Sequence, residues 1–292
     1  MTEIFRAESV PGFPVHEIRH IRSRARVAHR GAQLLEWTPT GFDPVLYCSR
    51  RSVPVEDTAV RGGIPICWPW FADHPDCSSL PLHGFAQLMV WTHGYMETND
   101  DEVRMGFWLE DDADTRDLWP HRFRLDLEIC MGARLAMRLR MKNTGDSAFS
   151  AGGAFHPYFV VGGLEGLVVS GVTDAGYFDK TSGRFKAGDA GRLRIEGEVD
   201  RIYQTTGPVT LCDQTLGRRI TVEGAGHRGT VVWNPGPEEA AKARDIAPGD
   251  YDHFVAVEPV LPQEVQVFLS PGEEHLMSLE VTIESTALSR AG

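Results

Sequence analysis

Two ionisable side chains of this 292-residue chain sit in apolar company. His156 lies in Ala154-Phe155-His156-Pro157-Tyr158-Phe159, an aromatic, strand-like run with Gly152-Gly153 before it and Gly162-Gly163 after it. Glu258 follows Phe254-Val255-Ala256-Val257 and precedes Pro259. Read as a strand, the second run puts Glu258 on the same side as Phe254 and Ala256. A carboxylate there is costly unless it is partnered or working. The plain alternatives are a packed core histidine and a buried ion pair. With reference pKa values of about 6.5 and 4.3, imidazole and carboxylate are also suited to passing protons near neutral pH.

Two loops add further candidates. Arg61-Gly62-Gly63-Ile64-Pro65-Ile66-Cys67-Trp68-Pro69-Trp70-Phe71 is too rich in Gly and Pro for a regular strand, yet it is strongly aromatic. Flat aromatic faces beside an arginine suit a sugar ring, whose C–H face packs on them while its hydroxyls bond the rim. A core-packing loop with a surface arginine is the competing reading. His83-Gly84-Phe85-Ala86 places one more histidine beside a glycine, in a setting that is structural as often as functional.

Other patterns fail their own mechanism. Gly224-Ala225-Gly226-His227-Arg228-Gly229 has the G-x-G-x-x-G form, but a strand, Thr230-Val231-Val232-Trp233, follows it instead of the helix a pyrophosphate requires. His74, Cys77, His83 and His93 match no standard zinc spacing, so no metal is expected. Phosphate-loop and serine-hydrolase motifs do not occur.

The elements that must position these groups read as strands. Phe123, Leu125, Leu127, Ile129 and Met131 alternate with polar neighbours, and after Gly132-Ala133 the habit resumes at Leu135, Met137, Leu139 and Met141, which predicts a hairpin. Arg22, Arg24 and Arg26 would share the solvated face of another strand, Leu34 to Trp37 would form a strand after a turn at Gly31, and residues 44–48 a short apolar one. Further strands are expected at 167–170, 193–196, 219–223, 230–233, 254–258, 265–269 and 277–283. Pro237 to Arg244, with early acids and late bases, predicts a short helix, and Asp112 to Trp119 one or two turns. Many short strands and few helices mean an all-β sandwich or barrel. No compositional break or repeat divides the chain, so one domain over 1–292 is expected.

Composition narrows the partners. A formal net charge of -12 argues against a general nucleic-acid or anionic-membrane surface. Met1 to Val10 lacks the apolar core of a signal peptide, and no stretch reaches the roughly 18 apolar residues of a spanning helix. Five scattered cysteines without a C-x-x-C pair read as reduced thiols of a cytoplasmic protein. A monomer is the default.

Six segments, in order, resemble the aldose 1-epimerase (galactose mutarotase-like) superfamily, and within it the hexose-6-phosphate mutarotases, or glucose-6-phosphate 1-epimerases. They are Arg61–Pro65, His83–Ala86, Phe155–Phe159, Val199-Asp200-Arg201-Ile202-Tyr203, Trp233-Asn234-Pro235 and Val257-Glu258-Pro259. The resemblance implies a large antiparallel β-sandwich with a sugar cleft across one sheet, and neither metal nor cofactor. It implies that His156 and Glu258 are the catalytic pair, with Arg61, His83 and Asp200 holding the sugar. The implied reaction interconverts α and β anomers of a hexose 6-phosphate, glucose 6-phosphate foremost. The C1 hydroxyl loses its proton while the ring oxygen gains one, the C1–C2 bond rotates in the open chain, and closure reverses both transfers. One base and one acid suffice, placed on opposite sides of the hemiacetal, with glutamate ionised and histidine donating.

Gln87 departs from the pattern. The family commonly follows His-Gly-Phe-Ala with an arginine that helps hold phosphate, whereas an amide brings no charge and no bidentate fork. Gln87 is kept as a substrate contact, and an unphosphorylated hexose stays open as the substrate. A non-catalytic carbohydrate-binding sandwich is the rival from another class, and it has no use for both His156 and Glu258.

Overall fold

The alternating hydrophobics become strands where expected. Phe123–Gly132 and Leu135–Asn143 pair antiparallel with Leu127 opposite Leu139, and their apolar faces are buried. The computed structural model describes residues 2–10, 13–52, 58–188 and 191–286. Within them the hairpin joins an eight-stranded antiparallel back sheet that runs from Leu167–Ser170 at one edge to Thr92–Thr98 at the other.

A second eight-stranded sheet faces it. Its order is Arg184–Lys186, Tyr177–Asp179, Val199–Tyr203, Gly229–Asn234, Phe254–Leu261, Gly153–Phe155 and Ile66–Cys67, with Tyr158–Val160 also paired to Phe254–Leu261. Side chains alternate across it. Val255, Val257 and Leu261 point into the core shared with Leu127, Leu139, Met277 and Leu279 of the back sheet, leaving Ala256, Glu258 and Val260 to the other face. A four-stranded sheet of Glu3–Val10, Phe13–Arg19, Ser23–Ala28 and Leu34–Pro39 adds Ile18, Val27, Leu34 and Trp37 to the same core. The architecture is thus the expected all-β antiparallel sandwich.

The helices also form where expected. Ala113–Leu118 begins at a capping box between Asp112 and Thr115, and Gly236–Lys242 begins at Pro235 and Pro237 with Glu238 and Glu239 in its first turn. The Gly224–Gly229 stretch connects Arg218–Ala225 to Gly229–Asn234, with no helix to receive a phosphate.

Some expected elements are altered. Residues 193–196 form no strand: Leu193 and Ile195 pack inward, but only Leu193 bonds laterally, as an isolated bridge to Val169. Residues 263–265 make a 3₁₀ turn before the strand Val267–Leu269. The 44–48 segment is tied by single bridges, Leu46 to Phe159 and Cys48 to Gly62. No helix among the described residues is long and apolar enough to cross a membrane.

Candidate active site

The site lies where one strand is continuous and its partner is broken. Phe254–Leu261 runs unbroken and all eight residues are buried. On one flank it pairs first with Tyr158–Val160 and then with Gly153–Phe155, leaving His156-Pro157 between them. Both prolines fall at this interruption, so Pro259 and Pro157 remove no N–H that the ladder there needs. The freed backbone bonds the 61–65 loop instead. His156 N–H donates to the Pro65 carbonyl at 3.1 Å and Tyr158 N–H to Gly63 at 2.9 Å.

That interruption lets His156 reach Glu258. His156 Nε2 lies 3.3 Å from Glu258 Oε1, and their side chains are 8% and 1% exposed. The ring stacks on Tyr158, with centroids 4.6 Å apart and planes 10° from parallel. Among the described residues His156 Nδ1 and Glu258 Oε2 are buried without hydrogen-bond partners, which leaves polar atoms to be satisfied by a ligand. Burial is the main force on both groups. It pushes His156 well below the usual imidazole range, helped by His83 and Arg61, and Glu258 well above the carboxylate range, helped by Asp200. Both shifts favour the uncharged forms, a carboxylic acid beside a neutral imidazole. The two groups are in direct contact.

His83 approaches His156 edge-on, with centroids 5.5 Å apart. Its Nδ1 accepts the Ala72 N–H at 3.1 Å, which assigns the ring proton to Nε2. Burial and the nearby Lys180 and Arg61 charges depress its pKa to about 3, so it is a neutral donor. Its backbone has φ +65°, unusual for a residue with a Cβ and of the kind found where structure over-determines a site. Gly84 beside it has φ +75°, and a Cβ there would stand 2.1 Å from the Trp68 carbonyl oxygen.

Arg61 is held on three sides. Its Nε donates to Asp245 at 2.9 Å, its Nη1 to the Tyr158 hydroxyl at 3.1 Å, and its guanidinium lies 5.8 Å from the Trp233 ring centroid. Gln87, 7% exposed, donates Nε2 to the Leu82 carbonyl at 2.9 Å. Arg61, His83, Gln87, His156, Tyr158 and Asp245 line one cavity of about 340 Å³. Glu258 joins it through His156. Asp200 does not line it: this residue stands opposite Trp233 on the next strand and pairs with Lys180 at 2.8 Å, near enough for its charge to act on Glu258.

The aromatic loop is used differently from the sequence reading. Trp68 and Trp70 are 0% and 2% exposed, and Trp68 packs on Phe85, Trp119 and Phe123 in the core. Tyr158 lines the cavity instead, and the half-buried Trp233 packs edge-on against it. Both lie in segments that carried the resemblance, but their rings look no different in sequence from packing aromatics. Lys180 and Asp245 left no signal at all beyond being charged.

The two-sheet antiparallel sandwich, with His156 and Glu258 in buried contact, agrees with a carbohydrate isomerase of the mutarotase class. The chain belongs to the aldose 1-epimerase family, whose model matches residues 14–282. It is 31% identical over 261 residues, 89% of this chain and 87% of the other, to an Escherichia coli K12 protein provisionally named glucose-6-phosphate 1-epimerase. A Salmonella typhimurium protein of the same provisional name is 34% identical over 246 residues, covering 83% of this chain and 81% of the other. The crystal structure of a provisionally assigned Salmonella typhimurium mutarotase, YeaD, superposes with a TM-score of 0.91 at 28% identity, over 97% of this chain and 94% of that one.

Proposed function

We propose that the protein interconverts the α and β anomers of a hexose 6-phosphate, glucose 6-phosphate first among them, without a cofactor. The observation that carries this reading is the buried contact of His156 with Glu258. The two hemiacetal oxygens share one carbon, so adjacent groups can serve both. With the proton on His156 and none on Glu258, Glu258 takes the C1 hydroxyl proton and His156 gives its own to the ring oxygen. The open chain then meets a carboxylic acid and a neutral imidazole, the arrangement burial favours, and closure on the other carbonyl face reverses both transfers. His83 Nε2–H is a neutral donor for the carbonyl oxygen that forms and Arg61 the cation for the phosphate, while Asp200, outside the cavity, acts on Glu258 through its charge. The relatives' names, which specify glucose 6-phosphate, support the substrate.

Exchange between anomers of glucose 6-phosphate, followed by NMR, tests the reading. Glu258→Gln is expected to slow it by about 10² to 10⁴-fold, the usual worth of a general acid or base. Unchanged exchange would remove the mechanism.

A second reading, an unphosphorylated hexose, draws on Gln87 and Asp245. The Gln87 amide is committed to Leu82, and the Arg61 charge is already met by Asp245.

A further inference from the structure

The chain carries a formal net charge of -12, yet one of its cavities is lined by three arginines. Arg192, Arg194 and Arg201 meet there with Thr173, Tyr177 and Tyr203 around about 120 Å³, and among the described residues no carboxylate lines it. The cavity lies behind the strand Val199–Tyr203, away from the catalytic cleft. Asp200 stands opposite Trp233, which stands opposite Ala256 on the cleft face, so Arg201 and Tyr203 turn the other way. It shares no lining residue with the cavity of Arg61 and His83.

The donors are held in place. The Arg201 guanidinium lies 4.8 Å from the Tyr177 ring centroid and donates Nη1 to the Tyr203 hydroxyl at 3.3 Å. Those two rings are buried, with centroids 5.0 Å apart. Between Arg192 and Arg194, Leu193 exchanges both backbone hydrogen bonds with Val169, at 3.0 and 2.9 Å. Just before them the Gly191 carbonyl accepts the Thr173 hydroxyl at 2.6 Å.

Their charge is largely uncompensated. Among the described residues none of the three arginines is in an ion pair. Asp179 lies opposite Arg201 and its charge reaches it, but its carboxylate is taken up by Lys186 and by the hydroxyls of Thr181 and Ser182. Arg194 donates to the Glu165 carbonyl at 3.4 Å, and it shares an adjoining cleft with Glu165 and Glu196. Planar guanidiniums with parallel N–H groups match the oxygens of a phosphoryl group. Cavities for whole small molecules run to about 300–1,000 Å³, so this one suits a single oxyanion.

We propose that this cavity is an anion site, separate from the catalytic one, that takes free phosphate or the phosphoryl group of a small phosphate ester. The inference does not rest on the mutarotase reading. The acidic protein as a whole repels an anionic membrane, which favours a soluble ligand over a lipid headgroup.

Binding of inorganic phosphate to the full-length protein is titrated calorimetrically at fixed ionic strength. The proteins compared are Arg61→Ala, which removes the catalytic cation, and Arg61→Ala combined with Arg192→Ala and Arg194→Ala. Arg192 and Arg194 are exposed, so their loss does not burden the fold. Phosphate is expected to bind Arg61→Ala, and to bind the triple variant at least roughly tenfold more weakly, the worth of a hydrogen bond to a charged group. Displacement of that phosphate by glucose 6-phosphate would identify an ester as the ligand, and no displacement the free ion; both support the site. No binding to Arg61→Ala would overturn it, as would equal binding to the triple variant. So would sedimentation with phosphatidylserine vesicles by a protein that binds no soluble phosphate.

Discussion

Arg61 decides how the cavity treats phosphate. Its Nε–Asp245 contact at 2.9 Å and its bond to Tyr158 hold the guanidinium in place, but Asp245 also offsets its charge. A hydrogen bond to a charged group is worth about 1.5–3 kcal/mol, or roughly ten- to hundredfold in binding. Arg61→Ala is therefore expected to lower the ratio of kcat/KM for glucose 6-phosphate over glucose by about that factor. Asp245→Asn, which frees the positive charge, should raise the ratio. A ratio that Arg61→Ala leaves at the wild-type value would show that phosphate binds elsewhere. At this scale the sequence was informative where a polar group broke an apolar run, as at His156 and Glu258. It was uninformative at Lys180 and Asp245, because an exposed charge acquires a role only through what the fold brings near it. Aromatic content misled at Trp68 and Trp70, since composition does not say which way a ring turns.

At the scale of elements, the site depends on a strand break held open by the 61–65 loop. Gly63 has φ +61°, accepts the Tyr158 N–H, and leaves no room for a side chain: a Cβ would lie 2.2 Å from the Leu34 carbonyl oxygen. Because that neighbour is backbone, the loop must move. Gly63→Ala is expected to cost about 2–4 kcal/mol by urea unfolding, from the left-handed conformation and the displaced contact together. It should also slow anomer exchange, because Arg61 and Tyr158 shift with the loop. A loss of stability without any loss of rate would show that the loop does not position the site. The long alternating strands were legible because each buries one face. The interrupted partner strand was not, since Pro157 and Pro259 look like ends in the sequence and become matched gaps only when the two strands lie side by side.

Across the whole molecule, several histidines are buried in their neutral form, and this ties stability to pH. His16 on the N-terminal sheet and His29, just after the strand Ser23–Ala28, meet His93 on the back sheet. Their Nε2 atoms, His16 to His29, are 2.8 Å apart, and His16 and His93 have ring centroids separated by 4.8 Å. Burial, then the neighbouring His29, His93 and Arg6, depress His16 to about 4, and burial depresses His83 to about 3. Burial and Arg6 lower His29 as well. In each case the unfolded chain, titrating near 6.5, binds the proton more readily than the folded one. Stability from these groups is thus complete above about pH 6.5 and declines as pH falls toward the folded values. Between pH 7.5 and pH 5, His16 and His83 should each account for about 1–2 kcal/mol. The urea midpoint is accordingly expected to fall over that range, well above the pH at which carboxylates titrate. His16→Gln, which cannot take up a proton, should flatten the decline even if it lowers stability at pH 7.5. The same slope in that variant would place the acid sensitivity elsewhere than the contact between the N-terminal and back sheets.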